Sequence, residues 1–263
     1  MTNLEVPVES LSAEDPSESG WIELADTKLL IIVGVTGVGK STTVNALKAG
    51  GLSFTLLPNR RELTDRFMIR QLQKQAGEAV EPVTDRAARF DYTRRYREQH
   101  WGGMGHVISQ LSIEPSALTA DWLVFDGLRG ENEVMVAAKS LPNARFLLLD
   151  APDSVRIQRL LKRNDVFDQI QSTGVGAADL GDTSNFLNDE ELAQLVSLVQ
   201  QGQVTLDELK GKLEIVRKER ENYSPARTKM ALFHDARDRT VYIDTVTKSA
   251  AEAAAETIDQ RLS

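Results

Sequence analysis

The run Leu29-Leu30-Ile31-Ile32-Val33, followed at once by Gly34-Val35-Thr36-Gly37-Val38-Gly39-Lys40-Ser41, constrains this chain more than any other feature. Five consecutive apolar residues suit a strand buried on both faces, the habit of parallel sheets. The next eight residues match the pattern of a phosphate-binding loop: two glycines with four residues between them, then Lys and Ser. The segment 41–49 is helix-compatible and stops at Gly50-Gly51. Glycines let the backbone wrap closely around a polyphosphate with its N–H groups pointing inward. The helix N-terminus adds partial positive charge at the same place. The expected nucleotide contacts are therefore Gly34, Val35, Thr36, Gly37, Val38, Gly39, Lys40, Ser41 and Thr42. Lys40 would reach the β/γ-phosphates and the Ser41 hydroxyl would ligate Mg²⁺. The plain alternative, a glycine-rich turn with a chance lysine, does not account for the strand before it and the helix after it.

The chain has 263 residues, enough for one domain with a sizeable insertion. A hydrophobic share of 41% and a charged share of 27% are ordinary for a soluble globular protein. No apolar run approaches the length of a membrane span. No Lys or Arg precedes Lys28, so the N-terminus reads as neither signal nor transit peptide, and a cytoplasmic location is the default. The absence of cysteine excludes disulfides, thiolate metal sites and a Cys nucleophile. A net charge of −8 argues against a general nucleic-acid binder.

Residues 1–26, rich in Glu, Asp, Ser and Pro, read as a flexible acidic tail. From Lys28 onward short apolar strands alternate with helical segments, which predicts an α/β domain with a parallel sheet. The expected strands lie at 29–33, 53–57, 122–125, 145–149 and 240–244. The intervening helices are expected at 63–75, 105–111, 131–140 and 152–163, with a last helix after Lys248. This rhythm stops between Asn164 and Asp238. A Gly/Ser/Asp-rich loop at 171–184 is followed by two helices that announce themselves with capping signals, Asn188 with Glu191 and Thr205 with Glu208. Leu192, Leu195, Val196 and Val199 form one apolar stripe, and Leu206, Leu209, Leu213 and Val216 the other. The organisation expected is a core at 27–163 and 239–263, interrupted at 164–238 by an inserted helical hairpin.

The strand at 122–125 ends in Asp126, placed as a Mg²⁺-holding carboxylate beside the phosphate loop would be. Gly127, not Glu, follows it. The lack of a base-like Glu leans toward phosphoryl transfer to a bound acceptor rather than water activation. Arg156, Arg159 and Arg163, spaced three and four apart, fall on one helix face. Guanidinium groups match phosphate oxygens bidentately, so this face suits a triphosphate and charge on a transferring phosphoryl group. A solvated surface is the competing reading of such a stripe.

A second group comprises Arg60, Arg61, Arg66, Arg70, Arg86, Arg89, Arg94, Arg95 and Arg97, with Phe90, Tyr92, Tyr96 and Trp101 interleaved. The mixture suits an anionic acceptor with a flat ring, or single-stranded nucleic acid, or a surface helix paired to its own acids. Arg60 and Arg61, just beyond a strand's C-terminal end, are the foremost acceptor contacts. The three histidines make no metal-ligand spacing with one another.

With these motifs placed, the chain resembles the P-loop kinase superfamily that contains the nucleoside-monophosphate kinases. Ala151-Pro152-Asp153-Ser154-Val155-Arg156, then Arg159-Leu160 and Arg163, looks like the start of the mobile lid in those enzymes. Asp126-Gly127-Leu128-Arg129, with Glu131 or Glu133 soon after, looks like an element of dephospho-coenzyme-A-kinase-like proteins. Ile243-Asp244-Thr245 is similar to the segment that packs near adenine. The resemblance implies a P-loop NTPase fold, three-layer α/β/α with a five-stranded parallel sheet, an ATP·Mg²⁺ donor, and lid arginines at Arg156, Arg159 and Arg163. It departs from the family in showing no acceptor signature of adenylate, guanylate or thymidylate kinases, and in carrying a hairpin where a short lid is usual.

The leading expectation is an ATP-dependent phosphotransferase acting on a nucleotide or other small anionic acceptor. Lys40, Asp126, Arg156, Arg159 and Arg163 would serve the chemistry, and Ser41 and Asp126 would hold Mg²⁺. Arg60, Arg61, Arg66 and Arg129 would hold the acceptor. The alternative is an ATP-binding regulatory ATPase that engages a protein partner through the hairpin; a third reading is an enzyme of nucleic-acid ends. A GTPase is disfavoured because no Asn-Lys-x-Asp element is present. The sequence leaves a homo-oligomer open.

Overall fold

The computed structural model describes residues 5–13, 20–162 and 180–262. In chain order the elements are β1 (Leu11–Ser12), β2 (Ile22–Glu23), β3 (Leu29–Val33), α1 (Lys40–Ala49), β4 (Phe54–Leu56), α2 (Arg60–Leu63), α3 (Arg70–Ala76), α4 (Arg86–Gln99), α5 (Gly103–Ser109), β5 (Ser112–Ile113), β6 (Trp122–Leu128), α6 (Glu131–Ser140), β7 (Arg145–Asp150), α7 (Asp153–Leu161), α8 (Asp189–Gln200), α9 (Leu206–Asn222), α10 (Pro225–Asp235), β8 (Thr240–Asp244) and α11 (Ala250–Thr257). The main sheet has five parallel strands in the order β4-β6-β3-β7-β8. From β3 the chain builds β4 and β6 on one side, then crosses to β7 and β8 on the other. The order reverses at β3, so a crevice opens beyond its C-terminal end, where the phosphate-binding loop begins.

Alternate residues of the central strands enter two cores. Leu29, Ile31, Val33, Phe125, Phe146 and Leu148 pack with Met104 and Ile108 of α5, Val134 of α6 and Leu232 of α10. Leu30, Ile32, Val124, Leu147 and Leu149 face the other way, onto Val44 and Leu47 of α1 and Ala253 and Ala254 of α11. This is the three-layer α/β/α P-loop fold. Both faces of the sheet are covered, which is why its strands read as unbroken apolar runs. No helix among the described residues is long and apolar enough to cross a membrane.

The hairpin is built as its capping signals specify. Reciprocal capping boxes open α8 at Asn188 with Glu191 and α9 at Thr205 with Glu208. Leu195, Leu209, Leu213 and Val216 form a third apolar cluster with Ile157 and Leu160 of α7. The 164–238 segment also holds a further helix, α10, whose Ala231 and Leu232 belong to the core against α6 rather than to the hairpin.

Two expectations need correcting. Where it is described, the 1–26 segment is docked. Val6 donates to Leu56 O at 2.7 Å, and Val6, Leu11 and Leu24 are buried. β1 and β2 flank β5 in a small antiparallel sheet. The apolar residues spaced through the acidic stretch carry that docking. Second, β6 does not end at Asp126. Ile31 pairs with Phe125 and Val33 with Leu128, so β6 holds one extra residue there, a β-bulge around Asp126-Gly127. Bulges re-aim side chains, and this one sets Asp126 beside the phosphate loop.

The bulge also explains Gly127. A Cβ at this position would lie 2.2 Å from the Phe125 ring, which is fully buried and has nowhere to go. Gly127→Ala is therefore expected to cost on the order of 2 kcal/mol through overpacking. A drop in the urea midpoint at constant m-value checks this, and Phe125→Leu in the same chain is expected to recover part of the loss.

Candidate active site

The loop between β3 and α1 can present N–H groups inward only if its carbonyls find partners outside. Arg156 Nε donates to Thr36 O at 2.7 Å. Arg159 Nη1 donates to Val38 O at 3.2 Å and Gly37 O at 3.3 Å. Lys40 Nζ reaches back to Gly34 O at 2.7 Å and Val35 O at 3.1 Å. Gly37 has φ +86°, and a Cβ there would meet the Arg156 backbone oxygen at 3.0 Å, so only glycine fits against α7.

Arg156 and Arg159 do share a face of α7, as their spacing predicts, and that face packs on the outside of the loop. Their roles differ. Arg156 is 1% exposed, and its guanidinium is shared between the carboxylates of Asp153 and Glu219. It braces the loop and is absent from the cavity lining, a correction to its expected place among the phosphates. Arg159 lines the cavity and is held by Thr245, through Oγ1 and the backbone oxygen, both at 2.9 Å. Arg163 lies outside the described residues.

A cavity of about 700 Å³ runs along the loop. Thr36, Gly37, Gly39, Lys40, Ser41 and Thr42 form its floor. Thr245, Lys248, Ser249, Ala250 and Ala253 form one end, and Asn59, Arg60, Arg61, Asp126, Gly127 and Arg129 the other. Burial and the nearby Arg129 charge pull the Lys40 ammonium down to about 7, against the opposing pull of Glu219 and Asp126. Mg²⁺ in such sites takes one or two carboxylates, substrate phosphates and water. The Ser41 hydroxyl and the Asp126 carboxylate, at the same cavity, fit that requirement. Among the described residues, no group of three or more His, Cys, Asp or Glu side chains offers an all-protein metal cage.

A second cavity of about 600 Å³ adjoins the first, and Arg60, Arg61 and Arg129 line both. Its walls are Thr64, Met68, Arg89, Phe90, Thr93, Arg97, Met104 and Tyr223. Arg60 stands there as the sequence suggests, but its guanidinium is engaged. It donates to Glu133 Oε1 at 2.6 Å and Oε2 at 3.0 Å, to Gly127 O at 2.6 Å and to Tyr223 at 3.2 Å. Burial works against the charged form, but Glu133 outweighs it and holds Arg60 above its ordinary range. Burial likewise pushes the Glu133 carboxyl up, while Arg60 and Arg129 bring it below the usual range. Arg66 lines neither cavity. It sits in the π-helical stretch Thr64–Ile69, between Thr64 and Met68, which do face the second cavity.

The residues that sequence reasoning missed are Lys162 and Lys248, which line the first cavity, Tyr223, which lines the second, and Glu219. Glu219, on α9, enters the phosphate loop. Its carboxylate accepts from Thr36 N at 3.1 and 3.2 Å, from the Thr36 hydroxyl, from Arg129 Nη1 at 2.8 Å and from Arg156. One signal pointed to it: Glu219 lies three residues after Val216, continuing the buried stripe Leu209, Leu213, Val216.

No protein-family model and no curated protein sequence matches the chain. Among solved structures it is similar to a gluconokinase from Sinorhizobium meliloti 1021, 16% identical over 88% of this chain and 89% of that one, TM-score 0.37. It is also similar to a sugar kinase from Janibacter sp. HTCC2649, 15% identical over 89% and 94%, TM-score 0.34. A shikimate kinase from Acinetobacter baumannii, solved with shikimate, is 12% identical over 90% and 93%, TM-score 0.37. Likeness at these values bears on neither the chemistry nor the substrate of this chain.

The Arg60–Glu133 pair holds β6, α2 and α6 together at the junction of the cavities. Glu133→Gln is expected to cost roughly 3 kcal/mol at pH 7, because it leaves a desolvated guanidinium without its anion. The Glu133 carboxyl is depressed from 4.5 in the folded protein. Its stabilisation is therefore complete above that value and lost as pH falls through the lower, folded one. Denaturation curves of wild type and variant are expected to stay apart at neutral pH and to draw together only as pH falls through the lowered, folded-state value.

Proposed function

We propose that this protein is a phosphotransferase that moves the γ-phosphoryl group of ATP·Mg²⁺ to a small anionic acceptor bound in the second cavity. The single observation that carries the reading is the pair of cavities meeting at Arg60, Arg61 and Arg129. A switch or hydrolase needs only the first of them. Transfer between two bound molecules needs a second site opening directly onto the phosphate loop, with cations at the junction.

The second cavity also states a preference. Arg97 is half-buried beside Gly103, and no ion-pair partner for it is found among the described residues. Arg89, by contrast, is held by Asp65 and Val83 O, and Arg94 by Asp91 and Glu98. A half-buried guanidinium facing a cavity calls for an anion from the ligand. Phe90, Met68 and Met104 supply an apolar wall beside it. The acceptor is accordingly read as a compact molecule with one phosphate or carboxylate group and an apolar or flat body. Lys40 and Arg159 would neutralise charge on the transferring group, Ser41 and Asp126 would hold Mg²⁺, and Arg129 would stand between donor and acceptor. Catalysis would then be chiefly positioning and charge stabilisation.

The regulatory alternative treats the hairpin as an arm for a protein partner. Glu219, Arg220 and Tyr223 instead fix the end of α9 to the loop, to Asp153 and to Arg60. These contacts support reading the hairpin as part of the site.

In a panel of phosphorylated and carboxylated metabolites with ATP·Mg²⁺, the correct acceptor is expected to raise ADP formation at least about tenfold over the acceptor-free rate, the size of effect one barrier change of about 1.4 kcal/mol produces. Lys40→Ala is expected to abolish turnover. Arg97→Ala is expected to raise the acceptor KM about tenfold or more with ATP affinity nearly unchanged. If ADP formation responds to no small molecule but rises with a protein partner, the phosphotransferase reading fails.

A further inference from the structure

The cations lining the phosphate loop already have an anion, and it comes from the protein. Glu219 is 8% exposed at its side chain, sits at the end of α9, and is 183 residues from the loop it enters. Its two oxygens receive the Thr36 backbone N–H, the Thr36 hydroxyl, Arg129 and Arg156. Lys40 feels its charge as well. A backbone N–H of a glycine-rich loop, a hydroxyl, two guanidinium groups and a nearby ammonium make up the donor set that recognises a phosphoryl group. The carboxylate is also the wrong kind of group for a base. Burial raises its pKa, but Arg129, Arg156, Thr36 and Lys40 bring it below the usual range, so it stays ionised and saturated with donors.

Glu219 does not act alone. At the same end of α9, Arg220 Nε donates to Asp153 Oδ2 at 2.6 Å, and the hydroxyl of the capping Tyr223 accepts from Arg60 at 3.2 Å. The Tyr223 ring closes on Gly130, where a Cβ would lie 2.6 Å from it. One helix end thus touches the donor loop through Glu219 and the acceptor cavity through Tyr223 and Arg60.

We propose that the Glu219 carboxylate is an internal stand-in for the γ-phosphoryl group of the nucleoside triphosphate, competing with it for the Thr36 and Arg129 donors that line the cavity. A triphosphate must expel Glu219 from the loop; a diphosphate, which has no γ-phosphoryl group, need not. Expulsion carries the end of α9 with it and draws Tyr223 away from Arg60, so the filling of the donor site is felt in the acceptor cavity. When the γ-phosphoryl group leaves, Glu219 returns and the cations are again neutralised. This inference rests on the reading of the loop as a nucleoside-triphosphate site.

Calorimetry with Mg²⁺ and either a non-hydrolysable ATP analogue or ADP tests it on the full chain. Glu219→Gln is expected to tighten the triphosphate about tenfold and to change ADP by less than about threefold, the effect of removing one charged competitor. An unchanged or lowered ratio of triphosphate to diphosphate affinity overturns the proposal. A second measurement needs no variant. In the wild-type protein, amide hydrogen exchange across 216–223 is expected to be faster with the ATP analogue than with ADP. Equal or slower exchange overturns the proposal even where Glu219→Gln fails to fold. If the wild-type protein binds neither nucleotide, the triphosphate reading fails and this inference falls with it. If it binds both and the α9 amides do not respond, only the inference falls.

Discussion

The phosphate loop depends on an orientation that a peptide chain does not hold unaided. Its N–H groups must converge on one point, so its carbonyls must diverge, and each needs a donor on the outer side. Arg156 and Arg159 supply those donors, and the Lys40 ammonium serves Gly34 and Val35 from the cavity side. Much else follows from this requirement. α7 must run past the loop closely enough for its arginines to reach, which fixes Gly37 as glycine. Arg159 must in turn be held, which ties Thr245 and the start of the last helix to the same spot. The cavity is what remains between these supports.

Bringing so many arginines to one place creates a second requirement, which the structure meets with alternating charge. Arg60 pairs with Glu133, which accepts the Arg129 backbone N–H; Arg129 pairs with Glu219, Glu219 with Arg156, Arg156 with Asp153, and Asp153 with Arg220. Buried ion pairs add little net stability once desolvation is counted, but removing one partner is costly. The chain of pairs therefore acts mainly on position. It joins α2, α6, α7 and α9 to the residue that follows β6, and fixes Arg129 where the two cavities meet. Charge inside such a network is also easier to redistribute than to remove, the condition that the proposed exchange of Glu219 for a ligand anion needs.

Features set by neighbouring residues were legible in the sequence. Leu29–Val33 with the glycines after it, and the capping boxes at Asn188 and Thr205, specify their own conformations. The bulge in β6 was not legible, because the need for glycine at 127 arises from where the Phe125 ring lies once the sheet has formed. Gly127 therefore carries a packing reason of its own, separate from the lack of a base-like Glu. Arg66 was misplaced for a similar reason. Which face of this helical stretch meets the second cavity is fixed by packing: Thr64 and Met68 line it, and Arg66, two residues from each, does not. Arg156 was placed on the correct face, with the wrong object opposite: its spacing showed that it needed an anion, and the anions proved to be Asp153 and Glu219. A charged residue at a stripe position was the one sign of Glu219, and it became meaningful only after Leu209, Leu213 and Val216 had fixed which face of α9 is buried.

The position of Glu219 also bears on why the hairpin is long. A short lid can bring arginines over a phosphate, but it cannot place a carboxylate inside the loop and an aromatic hydroxyl on Arg60 from a single rigid element. α9 does both because Tyr223 caps its C-terminal end, its N–H donating to Glu219 O at 2.7 Å. The apolar cluster with α7 supplies the rigidity, since Leu209, Leu213 and Val216 anchor the helix one to three turns before its functional end. A helix held that way transmits a shift at Glu219 to Tyr223 with little loss. On this view the insertion senses the state of the phosphate loop, and its length is what a lever with an anchored fulcrum and two contacts at its tip requires.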